Sequence, residues 1–276
     1  MDTLVTPAWL AEHQSLVKLV DASWYLPASG RDAKLEYTSG HIAGAVFFDI
    51  DVCAANSDLP HMLPSAQQFA DYVANLGISN DDQIVIYDGH GLFSAARVWW
   101  MFRLFGCPQV AVLNGGLPAW LAAGYDLQAG VSQPTPGHFH THTHDRFNPV
   151  VDADDVLQGI SSSKTLVLDA RSAARFTGQE QEARKGLRSG HIPGSHNLPF
   201  THLLDANQCL LPLDELLQAL APYLGQGEII ASCGSGVTAA VLVLALHLCG
   251  DDQVKLYDGS WSEWGGRQDL PVAVLN

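Results

Sequence analysis

The run ASCGSGVTAAVLVLAL, residues 231 to 246, sets a cysteine between an apolar, β-branched stretch and an apolar helix former. Gly234 and Gly236 let the backbone bend so that its N–H groups converge, Ser235 and Thr238 add hydroxyls, and Gly234, Gly236, Val237 and Thr238 are expected to bind the group that the loop takes up. A helix starting there aims unpaired N–H groups and the positive end of its dipole at the turn, which favours an anion. If the anion is the thiolate of Cys233, the chemistry is nucleophilic attack and covalent carriage of a group on sulfur. A free cysteine more commonly packs as a small apolar residue, and Cys53, Cys107, Cys209 and Cys249 fit that description. Strand end, glycine turn and helix start coincide only at Cys233.

The elements that must position this turn occur twice. SGHIAGAVFFDI at 39–50 returns as SGHIPGSHNLPF at 189–200, LVDAS at 19–23 as LVLDARS at 166–172, IVIYDG at 84–89 as IIASCG at 229–234, and GGLPAW at 115–120 as GSWSEW at 259–264. Four landmarks in one order indicate a tandem duplication. Each copy alternates short β-branched runs with amphipathic stretches, which predicts an α/β fold with a parallel sheet flanked by helices. The expected organisation is an N-terminal domain at 1–127, a linker at 128–150 rich in Pro, Gly, His and Thr, and a C-terminal domain at 151–276. Cys233 then falls at the carboxyl end of a parallel strand, where such folds place their sites. Its counterpart in the first copy is Asp88, so only the second domain is expected to be catalytic.

The 29 acidic and 14 basic residues give a net charge of −15, which opposes binding to nucleic acid or anionic membranes. No apolar run is long enough to span a bilayer and the N-terminal residues do not read as a secretory signal, so a cytoplasmic location is expected. The five cysteines are odd in number and contain no Cys-x-x-Cys pair, against a disulfide framework or a structural zinc site. His138, His140, His142 and His144 alternate and could share one face if extended, but their place in the linker argues against a metal site. Trp99, Trp100, Trp120, Trp261 and Trp264 fit core packing better than an aromatic site.

Across nearly the whole chain, GHIAGAVFFDID, LPHMLP, FSAARVWWMFRLFG, NGGLPAW, GHIPGSHNLPF, CGSGVTA and YDGSWSEW resemble the two-domain sulfurtransferases of the rhodanese superfamily. The resemblance implies two tandem rhodanese-like domains and sulfur transfer through a Cys233 persulfide, with no cofactor. The loop Cys-Gly-Ser-Gly-Val-Thr is similar to that of members using 3-mercaptopyruvate. Members using thiosulfate carry Cys-Arg-Lys-Gly-Val-Thr. A dianionic donor calls for basic compensation beside the cysteine, whereas a monocarboxylate does not.

The family's two substrate arginines map onto Arg175 and Arg184, the latter preceded by Ala183 where the family has proline. Arginine suits planar recognition of a carboxylate, although a solvated basic loop would look the same in sequence. Arg171 reads as structural. A Ser-His-Asp relay, read onto Ser235, His41 and Asp32, would move a proton at the substrate, yet His41 has a twin in His191, which points to a shared turn. The resemblance further implies a thiol acceptor such as thioredoxin or a small thiol, with cyanide as a laboratory substitute, and tandem domains suit a monomer. A thiosulfate:cyanide sulfurtransferase and a non-catalytic sulfur carrier remain alternatives. A Cys-based phosphatase would need arginine six residues after the cysteine, where the chain has Ala239.

Overall fold

The computed structural model describes residues 1–142, 149–162 and 164–275. It divides into two compact units: Met1–Ala55 with Leu63–His144 and Ala206–Leu210, and Asn56–Met62 with Asp145–Asp205 and Leu211–Asn276. The units are thus not simple halves of the chain. A short segment of each half belongs to the other unit, and each such segment has a residue in the left-handed region, His61 (φ 59°) and Gln208 (φ 61°).

The first unit is built on β1 (Leu4–Val5), β2 (Lys18–Asp21), β3 (Val46–Phe47), β4 (Ile84–Tyr87) and β5 (Val110–Leu113), all parallel in the order β1-β5-β4-β2-β3. The second repeats the plan with β6 (Val150–Val151), β7 (Thr165–Asp169), β8 (His196–Asn197), β9 (Glu228–Ser232) and β10 (Lys255–Tyr257), in the order β6-β10-β9-β7-β8. IVIY of β4 is buried throughout, as expected of a parallel strand covered on both faces. β2 and β4 end on the pair Asp21 and Tyr87, β7 and β9 on Asp169 and Ser232. Asp88 and Cys233 follow directly, so the register makes them equivalent.

The helices after these loops, Ala95–Leu104 and Ala239–Leu248, are the central ones of their units. AAVLVLAL is buried on every side, which explains why this helix lacks an amphipathic pattern. Trp99, Trp261 and Trp264 are fully buried, and Trp100 and Trp120 nearly so. No helix among the described residues is long and apolar enough to cross a membrane.

Of the segment expected to be a linker, residues 128–142 are bound to the first unit, and Val150 is already in β6 of the second. Gln128 and His41 exchange backbone hydrogen bonds of 2.8 and 2.9 Å, Gly137 N–H donates to Ala74 O (2.8 Å), and His142 N–H to Phe105 O (3.1 Å). Phe139 anchors it, buried against Phe69 with ring centroids 5.8 Å apart. His144 lies outside the described residues.

Asp21 and Asp169 occupy the same strand end but are satisfied differently. Asp169 pairs with Arg171, whereas Asp21 accepts, among the described residues, from neutral donors, the N–H and hydroxyl of Ser23 among them. Burial raises the Asp21 carboxyl from 3.8 to about 6, against these hydrogen bonds. The fold therefore favours the neutral acid: the stabilisation is complete below pH 3.8 and is lost as pH rises through about 6. Asp21→Asn, compared with wild type by urea denaturation, should gain about 3 kcal/mol at pH 8 and little at pH 4.

Candidate active site

The loop after β9 is held from one side by the turn after β10. Cys233 N–H and Gly236 N–H both donate to Ser260 Oγ at 3.1 Å, and Trp261 N–H donates to Cys233 O at 3.0 Å. Ser262 donates to Gly234 O through its N–H (2.9 Å) and its hydroxyl (2.7 Å). Gly236 turns the chain with φ 74°. Among the described residues the N–H groups of Gly234, Ser235, Val237 and Thr238 find no acceptor, so a set of backbone donors remains in the loop that carries the Cys233 thiol.

The first unit identifies what such a loop holds. Asp88 Oδ1 accepts from His90 N–H (2.8 Å) and Gly91 N–H (3.1 Å), and Oδ2 from Phe93 N–H and Ala95 N–H, both 2.8 Å. Four backbone donors converge on one carboxylate, the behaviour of an anion nest at a strand-to-helix turn. Cys233 and its loop occupy the same place in the second unit. Of the other thiols, burial pushes Cys53 up to about 12 and Cys107 up to about 11, so neither ionises near neutral pH.

Ser235 has a histidine partner, but it is not His41. Its Oγ lies 2.9 Å from Nδ1 of His61, and both side chains are buried. His41 donates from Nδ1 to Tyr37 O (2.8 Å) and stacks on the Tyr37 ring at 4.1 Å, while His191 does the same with Phe176 O (2.8 Å) and the Phe176 ring (3.9 Å). Asp32 caps the helix Ala33–Ser39 by accepting from Leu35 N–H at 2.9 Å. The relay read as Ser235, His41 and Asp32 is therefore corrected to a Ser235–His61 pair. His41 belongs to a turn common to both copies, and Asp32 to a helix start. The missed signal was asymmetry: His61 sits in LPHMLP, whose counterpart near Leu211 contains no histidine.

Arg175 and Arg184 are both brought to the loop. Arg175, on the short helix Ala173–Thr177, lies so close over Gly234 that a Cβ there would stand 3.1 Å from its Nη2. Arg184 Nη1 donates to Ser262 Oγ at 3.4 Å, and Ser262 is itself bonded to Gly234. Glu182, not singled out from the sequence, pairs with Arg175 and with Arg171 Nη1 at 2.7 Å. Arg171 has no exposed side chain; it clasps Asp169 (Nη2 to Oδ2, 2.6 Å), donates to Gly190 O (2.8 Å) and lies over the Trp261 ring at 4.2 Å. Arg188 serves backbone carbonyls, Leu270 O at 2.9 Å and Trp264 O at 2.8 Å among them. The buried chain Asp169–Arg171–Glu182 thus leads to Arg175, whose side chain is 25% exposed and can meet a ligand.

The Rhodanese-like domain model matches residues 6–123 and 152–267, one match in each copy. The chain belongs to the rhodanese family. This rhodanese is 45% identical to the 3-mercaptopyruvate sulfurtransferase of Escherichia coli (strain K12), over 96% of this chain and 95% of that one. It is 44% identical to the thiosulfate sulfurtransferase of Cricetulus griseus, over 95% and 91%. The crystal structure of SseA from Escherichia coli, a 3-mercaptopyruvate sulfotransferase of the rhodanese fold, superposes with a TM-score of 0.85 and 40% identity, covering 95% of this chain and 99% of that one. With such relatives over its length, the rhodanese is a sulfurtransferase.

Removing one partner from a buried ion pair leaves the other charge uncompensated. Asp169→Ala should lower unfolding free energy by about 3–5 kcal/mol in urea titrations. Arg175→Ala, at the exposed end of the same chain of charges, should cost about 1 kcal/mol or less.

Proposed function

We propose that the protein is a 3-mercaptopyruvate sulfurtransferase that works in two half-reactions through a persulfide on Cys233. The observation that carries this reading is the set of backbone donors in the Cys233 loop, at the place where the duplicate loop binds a carboxylate with four N–H groups. Arg175 and Arg184 hold the carboxylate and the adjacent carbonyl oxygen of the substrate. The Cys233 thiolate attacks the substrate sulfur; the carbon–sulfur bond breaks, its electron pair goes to carbon, and the enolate of pyruvate leaves and takes up a proton. The Ser235–His61 pair, 2.9 Å apart, relays that proton.

The persulfide left on Cys233 is stabilised by the N–H groups of Gly234, Ser235, Val237 and Thr238. An acceptor thiolate then attacks the outer sulfur and returns Cys233 as thiolate, giving an acceptor persulfide. Thioredoxin or a small thiol fits that step, and cyanide would give thiocyanate. The first unit has no part in sulfur carriage, because Asp88 fills its loop.

Gly234 supports the choice of donor. Arg175 lies where a side chain at 234 would begin, so the basic loop suited to thiosulfate would set a second cation against this guanidinium. Thiosulfate is the competing donor, in keeping with the relative from Cricetulus griseus.

Pyruvate release from 3-mercaptopyruvate, run beside thiosulfate with cyanide as common acceptor, tests the assignment. The expected result is a higher kcat/KM for 3-mercaptopyruvate and no turnover in Cys233→Ser; turnover by that variant would sink the mechanism, and preference for thiosulfate would sink the donor. Arg175→Ala should raise KM by about 10- to 100-fold, the loss of one charged hydrogen-bonding partner. His61→Ala should lower kcat by about 100-fold with KM little changed.

A further inference from the structure

We propose that Ser260 is a positioning residue for the nucleophile, the side chain that sets the geometry of the Cys233 loop. The inference rests on the reading of Cys233 as the nucleophile and extends it to a residue that need not touch substrate. Ser260 opens the short helix Ser260–Trp264 after β10 and is completely buried. Its backbone is left-handed, with φ 48°, a conformation that ordinary L residues adopt at a cost. Its hydroxyl donates to Tyr257 O (2.8 Å) and accepts from Cys233 N–H and Gly236 N–H, each at 3.1 Å. One oxygen thus ties β10 to both ends of the Cys-Gly-Ser-Gly turn.

The first unit provides the control. Gly116 follows β5 as Ser260 follows β10, with φ 53°, and Leu117 N–H donates to Asp88 O at 3.0 Å just as Trp261 N–H donates to Cys233 O at 3.0 Å. There the loop packs directly on the glycine: a Cβ at 116 would stand 2.3 Å from Asp88 O and 2.8 Å from Gly91 O. The backbone at this position therefore suits glycine in both copies. The unit whose loop carries a carboxylate uses glycine, and the unit whose loop carries a thiol uses serine despite the strain. Strain retained at a site where a neighbour shows it to be avoidable points to a role in the site.

By taking up the N–H groups of Cys233 and Gly236, the Ser260 hydroxyl fixes the plane of the turn and leaves the donors of Gly234, Ser235, Val237 and Thr238 for the sulfur. Loss of the hydroxyl removes the acceptor shared by Cys233 N–H and Gly236 N–H, lets the turn reorient, and weakens stabilisation of the thiolate and of the persulfide. Binding of the keto acid, which falls to Arg175 and Arg184, is untouched.

The test compares Ser260→Ala, which loses the hydroxyl and keeps the strain, with Ser260→Gly, which loses both. For each variant of the full-length protein, Tm, kcat and KM for pyruvate release, and the pH dependence of Cys233 alkylation by iodoacetamide followed on its own peptide, are measured. Ser260→Gly should melt above Ser260→Ala, because glycine accepts the left-handed backbone. Both should lose kcat by the same factor, about 10- to 100-fold, with KM within about threefold of wild type, and both should move the alkylation midpoint to higher pH. Recovery of kcat in the glycine variant in step with its Tm, or a wild-type alkylation profile in either variant, would overturn the proposal. Wild-type protein that is alkylated at Cys233 but releases no pyruvate would instead count against the nucleophile's assigned substrate, and the alkylation comparison would still decide the role of Ser260.

Discussion

A parallel strand that ends at a helix start leaves backbone N–H groups converging on one point, and the two units treat them differently. The first does so with the Asp88 carboxylate, which takes four hydrogen bonds. The second places Cys233 at that point and spends its neighbouring side chains on holding the loop. Ser260 and Ser262 grip it from the β10 side, His61 meets its serine, and Arg175 covers its first glycine. The buried Asp169–Arg171–Glu182 chain sits behind Arg175, so a costly arrangement of interior charge is used to hold a partly exposed cation in place.

The duplication separates structural residues from the rest more clearly than either copy alone. His41 and His191 make the same bond to a carbonyl and the same ring stack, and they belong to the framework. The strand ends differ: Ser23 against Arg171, Asp88 against Cys233, Gly116 against Ser260. Arg171 and Ser260 each bring to the second unit a group that holds the loop or the charges behind it. The first unit has Ser23 where the second has Arg171, and Asp21 bears the consequence, since burial lifts its carboxyl to about 6.

Local patterns in the chain made much of this readable. The repeat, the alternation of strands and helices, the position of Cys233 at a strand end and the two glycines beside it all lie within short windows, where backbone chemistry governs. Arg175 and Arg184 were readable through the family pattern. His61 was not, because it meets Ser235 across 174 residues and no local rule connects them. Ser260 and Ser262 lie in a motif whose type was visible, but their hydrogen bonds reach back 24 to 28 residues to another strand's loop. Pro, Gly and Thr suggested a linker over 128–150; what composition did not show is that residues 128–142 are tied to the first unit by backbone hydrogen bonds and by the buried ring of Phe139.

The Asp88 loop also differs from the Cys233 loop in how its donors are occupied. A carboxylate on the chain is a ligand whose translational freedom was already surrendered on folding, so it occupies the four donors in every state of the protein and no solute can compete on equal terms. A sulfur atom handed on to an acceptor has the opposite requirement, since it must be bound and also released. On the proposed reading of Cys233 the two loops represent the two ends of that scale, permanence in one copy and turnover in the other, reached from the same strand, turn and helix.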